Sequence, residues 1–518
     1  MMKRGDRRLS FWRVSFALLM LLTVGSVSTY AMMRYRASQS ATSSAPWFAS
    51  YIDVTATPTY SFDQMSTTSH RDALLSFIVA SHSDNCTPTW GGAYTLDQAG
   101  DALDLDRRIA RLQQRGGHVA ISFGGQRNQE MAVNCTDPAK LSAAYSAVID
   151  RYNVSTIDLD IEGPDLTNKA AAERRATALA KLQASRRLHG KKLAIWLTLP
   201  VTPQGLTEDG TNTVTQLLAS GVDLAGLDVM TMDYGLSKLA GESMQTASES
   251  ALTQSARQLE ILYQAAGIHL NSATVWSKLG ATPMIGQNDE SKELFSLADA
   301  RGFNQFAHKH GLGRMSMWSA NRDRSCGTNY IDLKTVSDSC SGVQQNSQDF
   351  SRILALSFTG NLDLSAGVIT KADKTTASQK ADDPAKSPYQ IWSMSGVYLQ
   401  GTKVVWHHTV YQAKYYTQGD TPDNPVLQTY QTPWELVGPV LAGEKPIPQA
   451  TLPDGTYPTW SGTNVYDANQ RILFNGVPYQ SKWYNVGQSP AAASSNPTGS
   501  PWSPLTQSQI NDITAATK

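Results

Sequence analysis

Eight short β-type runs, separated by longer amphipathic stretches, fill the chain from Trp47 to Phe358, and this alternation limits its folds more than any other feature. The runs are Trp47–Val54, Ala73–Ala80, His118–Phe123, Thr156–Ile161, Leu193–Leu199, Gly226–Met232, Lys278–Pro283 and Arg314–Trp318. Between them lie helical patterns such as Leu105–Arg115, Pro138–Tyr152, Lys169–Ser185, Ser248–Ala266 and Leu294–His310. Helical period between apolar strands predicts βα units and a parallel sheet. Eight strands over residues 47–359 suit an α/β chain folded as a (β/α)8 TIM barrel. The competitor is a doubly wound open sheet, but no glycine-rich dinucleotide fingerprint opens the first unit.

Composition narrows what such a chain does. Lys plus Arg and Asp plus Glu both number 44, so the formal charge is zero. That balance excludes a nucleic-acid binder relying on a broad cationic field. Four cysteines in 518 residues exclude a disulfide-rich miniature scaffold. Residues 1–33 carry Lys3, Arg4, Arg7, Arg8 and Arg13, then the uncharged run Val14–Met33. With small residues around Thr29-Tyr30-Ala31, this segment reads as an export signal; an uncleaved membrane anchor is the alternative. Once the signal is cleaved, no stable membrane association is expected. Residues 34–46 read as a tether. No second long apolar run follows, which excludes a polytopic membrane protein. The bulk of the chain is therefore expected outside the cytoplasm, secreted or periplasmic. Cysteines can pair there. Of three connectivities, Cys86–Cys135 and Cys326–Cys340 are expected, because each pair would join loops at one end of the barrel.

Residues 360–387 contain no aromatic side chain and read as a solvated linker. Composition then changes. A shift of 68 residues superposes Tyr389–Trp434 on Tyr457–Trp502 with 13 identities in 46 positions, Trp392/Trp460 and Tyr398/Tyr466 among them. This duplication predicts two small β-rich modules, residues 388–440 and 457–508, joined by a linker at 441–456. The Tyr-x-x-Trp and Pro-Trp elements read as core. In the adjacent pairs Tyr415-Tyr416 and Trp483-Tyr484, strand alternation would expose one ring of each. An exposed flat ring is a platform for the CH face of a sugar.

The chemistry concentrates in Ser155-Thr-Ile-Asp158-Leu-Asp160-Ile-Glu162-Gly163. Alternation puts Asp158, Asp160 and Glu162 on one face of a strand and Ile157, Leu159 and Ile161 on the other. Three like charges on one inner face raise one another's pKa, so folding alone would not select them. The apolar partners argue against a solvated acidic edge. Carboxylates could hold a hard cation, but no cluster of His supports a transition metal. Proton chemistry is the better reading, and no metal or cofactor is expected. Glu162, last in the strand, would sit at the barrel mouth, held protonated by its proximity to Asp160 as a general acid.

Asp158-x-Asp160-x-Glu162 resembles the Asp-x-x-Asp-x-Asp-x-Glu signature of family 18 glycoside hydrolases, the chitinases, with Ser155 at its first position. Ser122-Phe-Gly124-Gly125 resembles that family's Ser-x-Gly-Gly motif. Met230-Thr-Met232-Asp233-Tyr234, Met317-Trp318 and Gly280 to Asp289 are also similar to runs in these enzymes. The resemblance implies substrate-assisted hydrolysis. Glu162 would protonate the glycosidic oxygen, the 2-acetamido carbonyl would attack the anomeric carbon, and Asp160 would orient that group, with Asp158 sharing a proton below. Tyr234 and Asp233 would hydrogen-bond the acetamido group and Trp318 would floor the sugar; Met230, Met232, Ser122 and Gln287 complete the expected substrate-binding set. The tail is similar to chitin-binding modules of families 5 and 12, which implies Tyr415, Tyr416, Trp483 and Tyr484 as contacts. Together these imply a monomeric chitinase acting on chitin and chitooligosaccharides. Space for only one helix before Arg314 favours an open groove and internal cuts. The alternatives are cleavage of the N-glycan core, or a chitin-binding adhesin without catalysis.

Overall fold

The computed structural model describes residues 45–65, 72–268, 270–330, 332–362, 381–441, 443–446 and 449–516. The signal and most of the tether expected before Ala45 lie outside the described residues. Two compact units divide between Asp373 and Lys374.

In the first unit eight parallel strands close into a barrel. Strand β1 runs as Trp47–Phe48 and Ser50–Asp53, interrupted at Ala49. It is followed by β2 (Asp72–Ala80), β3 (His118–Gly124), β4 (Thr156–Asp160), β5 (Ala194–Thr202), β6 (Leu224–Met230), β7 (Leu279–Thr282) and β8 (Arg314–Met315). Closure is set by β1, which pairs Tyr51 with Leu74 of β2 on one side and Trp47 with Arg314 of β8 on the other. Five longer helices pack outside: α1 (Leu105–Gln114), α2 (Pro138–Arg151), α3 (Lys169–Leu188), α4 (Glu208–Ala219) and α5 (Met244–Ala265). Helix α6 (Leu297–His310) connects β7 to β8. Local chemistry places their ends. Asp137 caps α2 by accepting from the amides of Ala139 and Lys140, with Pro138 in the first turn. Ser296 and Asp299 form a capping box on α6, and Gly311 ends it in the left-handed region. Between β1 and β2 the described residues hold only a 3-10 turn, Phe62–Gln64.

The floor of the barrel is aromatic: Trp47 and Trp196 meet edge to face at 5.5 Å, with Leu362 fully buried beside them. Leu362 is fixed at both backbone ends. Its amide donates to Asp72 Oδ2 at 2.9 Å, and its carbonyl accepts from Thr156 Oγ1 at 3.0 Å. Residues 360–362, expected as the start of the linker, are held against the strand beginnings by burial of this leucine; residues 363–380 of the expected linker lie outside the described residues. At the other end of the expected linker Asp382 accepts from the amides of His407 and His408.

The second unit contains the duplicated fold. Strands β9 (Lys403–Trp406), β10 (Thr409–Ala413) and β11 (Trp434–Pro439) form one antiparallel sheet. Strands β12 (Arg471–Phe474), β13 (Val477–Ser481) and β14 (Trp502–Pro504) form its counterpart. The internal contacts repeat with the sequence. Trp434 Nε1 donates to Asp420 O at 2.9 Å, and Trp502 Nε1 to Gln488 O at 2.7 Å. Tyr398 OH accepts from the Ser393 amide, as Tyr466 OH does from Ser461. Of the elements expected as core, Trp392 and Trp434 cluster with Tyr398 in the first copy, and Trp502 clusters with Tyr466 and Tyr479 in the second, with Trp460 packed against them. The second copy reaches beyond its expected limits at 457 and 508. Leu452 packs with Leu473, Leu505 and Ile510, the last on helix α7 (Gln507–Ala516).

Candidate active site

Strand β4 carries the acids as alternation requires: Ile157, Leu159 and Ile161 are fully buried on one side, with Asp158 and Asp160 inside the barrel. Close approach of the neighbouring strand needs a glycine. Gly124 has φ +105°, and a Cβ there would lie 2.0 Å from Asp160 O; Gly125 N donates to that same carbonyl at 2.9 Å.

Asp158 is the most heavily bonded of the three. Oδ1 accepts from Thr198 Oγ1 at 2.7 Å and from Arg314 Nη1 at 2.7 Å. Oδ2 accepts from Ser122 Oγ at 2.7 Å and from Tyr51 OH at 2.9 Å. The Arg314 guanidinium lies over the rings of Trp47, Tyr51 and Trp196 at 5.3, 5.6 and 5.4 Å. Its Nη2 donates to Tyr51 OH at 3.0 Å and faces Asp228 Oδ2 at 3.5 Å. Asp228 accepts from Thr282 Oγ1, and burial pushes its carboxyl up to about 6. A Cβ at Gly280 would meet Asp228 Oδ1 at 2.5 Å and Arg314 Cβ at 3.0 Å.

Asp160 differs sharply. It is buried, yet its Oδ1 finds no hydrogen-bond partner among the described residues. Burial raises its pKa well above the carboxylate range, helped by the charges of Glu162, Asp158 and Asp228 and opposed by Arg314. Glu162 ends the run in extended conformation, φ −144° and ψ 175°, ahead of the short helix Gly163–Thr167. Burial pushes it up to about 7, with Asp233, Asp289 and Asp165 adding to the shift. Asp233 is itself pushed up to about 6, chiefly by burial. Near neutral pH the mouth of the barrel thus holds a proton-bearing glutamic acid beside a buried aspartate with a free oxygen. That pairing suits donation of a proton to a leaving group. Trp318, half-buried, stacks on Phe77 at 5.6 Å and 22°, and meets Tyr51 edge-on at 6.1 Å. Among the described residues no group of three or more His, Cys, Asp or Glu is arranged to hold a metal ion.

Other expected site residues do different work. Tyr234 was expected at the acetamido group, but its hydroxyl is buried and donates to Ser248 Oγ on α5 at 3.2 Å. The cause is local: Asp233 has φ +50°, so the strand period ends there and the next side chain packs on the helix. Ser122 is wholly buried and spends its hydroxyl on Asp158, which makes it a brace rather than a sugar contact. Gln287 donates from Nε2 to the carbonyls of Asn288 and Glu293 at 3.1 Å; it stiffens its own loop. Met230 is buried at the end of β6, and Met232 is half-buried. Sequence reasoning missed Tyr51, Thr198, Asp228 and Arg314. The available signal was a single charged residue inside each of two otherwise apolar strands.

Both disulfides are as expected, Cys86–Cys135 and Cys326–Cys340. In the second unit both rings of each adjacent pair face solvent: Tyr415 and Tyr416 are 51% and 58% exposed, Trp483 and Tyr484 43% and 62%. Alternation does not apply to them, because β10 stops at Ala413 and β13 at Ser481, and the pairs sit in bends.

No family model matches the chain. Over 259 residues, 49% of its length, it is 38% identical to a probable bifunctional chitinase/lysozyme of Escherichia coli (strain K12), over 28% of that protein. Over 253 residues, 48% of its length, it is 37% identical to Endochitinase 11 of Metarhizium anisopliae, over 47% of that protein. The chain thus spans less than half the length of these curated relatives. The catalytic domain of a hyperthermophilic chitinase from Pyrococcus furiosus has the same barrel, with TM-score 0.52 and 26% identity. That match covers 64% of this chain and 99% of the other. Catalytic-site mutants of active domain 2 of the thermostable chitinase from the same organism, complexed with chito-oligosaccharides, give TM-score 0.51 and 26% identity over 61% of this chain and 96% of theirs.

Proposed function

We propose that the barrel belongs to family 18 of the glycoside hydrolases, a reading supported by its likeness to the chitinase relatives and to the Pyrococcus furiosus barrel, and that the protein is an exported chitinase cutting β-1,4 bonds between N-acetylglucosamine units. The observation that carries this reading is Glu162, pushed up to about 7 at the barrel mouth beside Asp160 with its unpaired oxygen.

Glu162 donates its proton to the glycosidic oxygen as the bond to the anomeric carbon breaks. The substrate's acetamido oxygen bonds to that carbon and forms an oxazolinium ion. Asp160, free of hydrogen bonds at Oδ1, turns to the acetamido N–H and balances its positive charge. Ionised Glu162 then takes a proton from water, whose oxygen bonds to the anomeric carbon from the face the leaving group left as the bond to the acetamido oxygen breaks, so configuration is retained. Trp318 and Phe77 offer the apolar floor on which a sugar ring rests. Internal cleavage is favoured by the segment between β7 and β8, where only a small hairpin (Gly286–Gln287 with Leu294–Phe295) and α6 intervene, which leaves the groove without a wall. The ring pairs of the second unit supply attachment to an insoluble polymer, and two copies raise effective concentration on it. They favour chitin over an N-glycan core as substrate. Two disulfides fit an oxidising compartment and support the export suggested by residues 1–33.

The test is Glu162→Gln with a product time course on chito-oligosaccharides and anomer analysis by NMR. Turnover is expected to fall about 10²–10⁴-fold while retention on chitin beads persists, and wild-type products should appear first as the β-anomer. Unchanged hydrolysis by the variant, or inversion by the wild type, would overturn the assignment.

A further inference from the structure

Within the second unit the two copies of the repeated fold pack on each other. Val397 of the first bridges to Gln488 of the second through the backbone, and Asn496 Nδ2 donates to Gln400 O at 2.7 Å. A Cβ at Gly487 would lie 3.7 Å from Val397 Cγ2, so the chains run close there. The segment expected as a linker at 441–456 is drawn in as well. Tyr479 OH donates to Gln449 Oε1 at 2.7 Å, and Leu452 N to Gly476 O at 2.9 Å.

Between the copies this packing leaves a cleft of about 1000 Å³, walled by Tyr389 and Gln390 of the first, Trp460 and Phe474 of the second, and Gln449 of the joining segment. Its size is at the upper end of the ~300–1,000 Å³ usual for ligand sites. Its chemistry is one-sided. None of the described residues lining it is charged, so an ion entering would lose its water and meet no counter-charge. Rings share the wall with amides and hydroxyls, a combination that suits the CH faces and oxygen atoms of an uncharged sugar.

Two groups of the wall have an unmet demand. Trp460 Nε1 and Gln390 Nε2 are buried and have no hydrogen-bond partner among the described residues. Both are donors, so an occupant has to bring neutral acceptors to relieve them. Each is held by its own copy. The Trp460 amide donates to Leu473 O at 2.8 Å, and its ring stands edge-on to Phe474 at 5.5 Å and 87°. Gln390 O accepts from the Val405 amide at 2.8 Å.

We propose that the cleft between the two copies is a third saccharide site of the second unit, taking a single chain of N-acetylglucosamine units whose acetamido carbonyl and hydroxyl oxygens accept from Gln390 and Trp460. This inference rests on the reading of that unit as chitin-attaching and not on hydrolysis in the barrel. The exposed ring pairs offer flat surface to a solid. A concave site takes one chain parted from its neighbours, and neither copy alone has both walls.

Nitrogen-15 NMR of the whole protein tests the site through its own unpaired group. The chain has 12 tryptophans, so indole N–H signals are few, and Trp460→Phe assigns the one in question. The probe is the hexamer of N-acetylglucosamine, and Glu162→Gln in the barrel keeps it from being consumed. Adding the hexamer should move the Trp460 signal downfield, saturably, as Nε1 gains an acceptor. The signals of Trp434 and Trp502, bonded inside their modules, report that both copies stay folded. Gln390→Ala should raise the Kd read from the shift about two- to tenfold, the worth of one neutral hydrogen bond. The deacetylated hexamer in its ammonium form should leave the signal in place. A Trp460 signal unmoved by the acetylated hexamer, an unchanged Kd in folded Gln390→Ala, or an equal response to the ammonium form would each overturn the site. Chitin beads separate two failures. Beads that hold the protein while Trp460 stays unmoved sink the cleft alone, whereas beads that release it sink the saccharide reading of the unit too.

Discussion

The barrel and the duplicated tail break the ordinary partition of side chains in opposite directions. The barrel buries charge: Asp158, Asp160, Asp228 and Arg314 sit inside a wall of Ile, Leu and Trp. The tail exposes rings: Tyr415, Tyr416, Trp483 and Tyr484 stand in solvent although each module is short of core. Either departure disfavours folding. Their difference fits the use proposed for each unit. A reaction needs groups removed from water, where charges act strongly on one another; adhesion needs flat apolar surface that water covers until a ligand displaces it.

Glu162→Gln tests the buried side of this comparison with the largest effect, a fall in kcat of about 10²–10⁴-fold for a lost general acid, read on soluble oligosaccharides. Next comes Asp158→Ala. It strands Arg314 without its 2.7 Å partner and should cost about 3–5 kcal/mol in urea unfolding; a loss below about 1 kcal/mol would mean that water reaches the guanidinium. The third effect is on pH. Because burial lifts Glu162 to about 7, the protonated form required for donation is lost above that value, and kcat/KM should drop about tenfold per unit of further pH rise. The same shift, raised in the folded state, contributes stability that is full below the unfolded carboxyl value and lost as pH rises through about 7. The smallest effect lies on the exposed side. Tyr484→Ala should weaken retention on chitin beads by about 1 kcal/mol, the scale of one aromatic contact. Tyr416→Ala should do the same in the first module. Equal losses would make the modules equivalent despite Trp483 replacing Tyr415; a change in one alone would assign adhesion to that copy.

Much of the barrel was legible because its signals are local. Period-two runs fell on the observed strands, and the acids of β4 stood out because Ile157, Leu159 and Ile161 flank them. What stayed hidden depends on contacts far apart in sequence. Tyr51 and Arg314 reach Asp158 across 107 and 156 residues, and no spacing rule links them. The resemblance implied Tyr234 at the acetamido group, but it could not show that the left-handed turn of Asp233 directs this hydroxyl to Ser248. Alternation failed at Tyr415-Tyr416, where a bend replaces the strand and frees both rings. Duplication was legible to the level of single hydrogen bonds, since Trp434 and Trp502 use equivalent carbonyls.

Leu362 has a practical consequence. It works as a cork beneath Trp47 and Trp196, contributed by residues that composition assigns to the spacer. A shortened version of this chain ending near Phe358 would leave the bottle open, wetting two indoles and forfeiting about 2–5 kcal/mol by analogy with a deleted core leucine. Trimming has to begin beyond that residue.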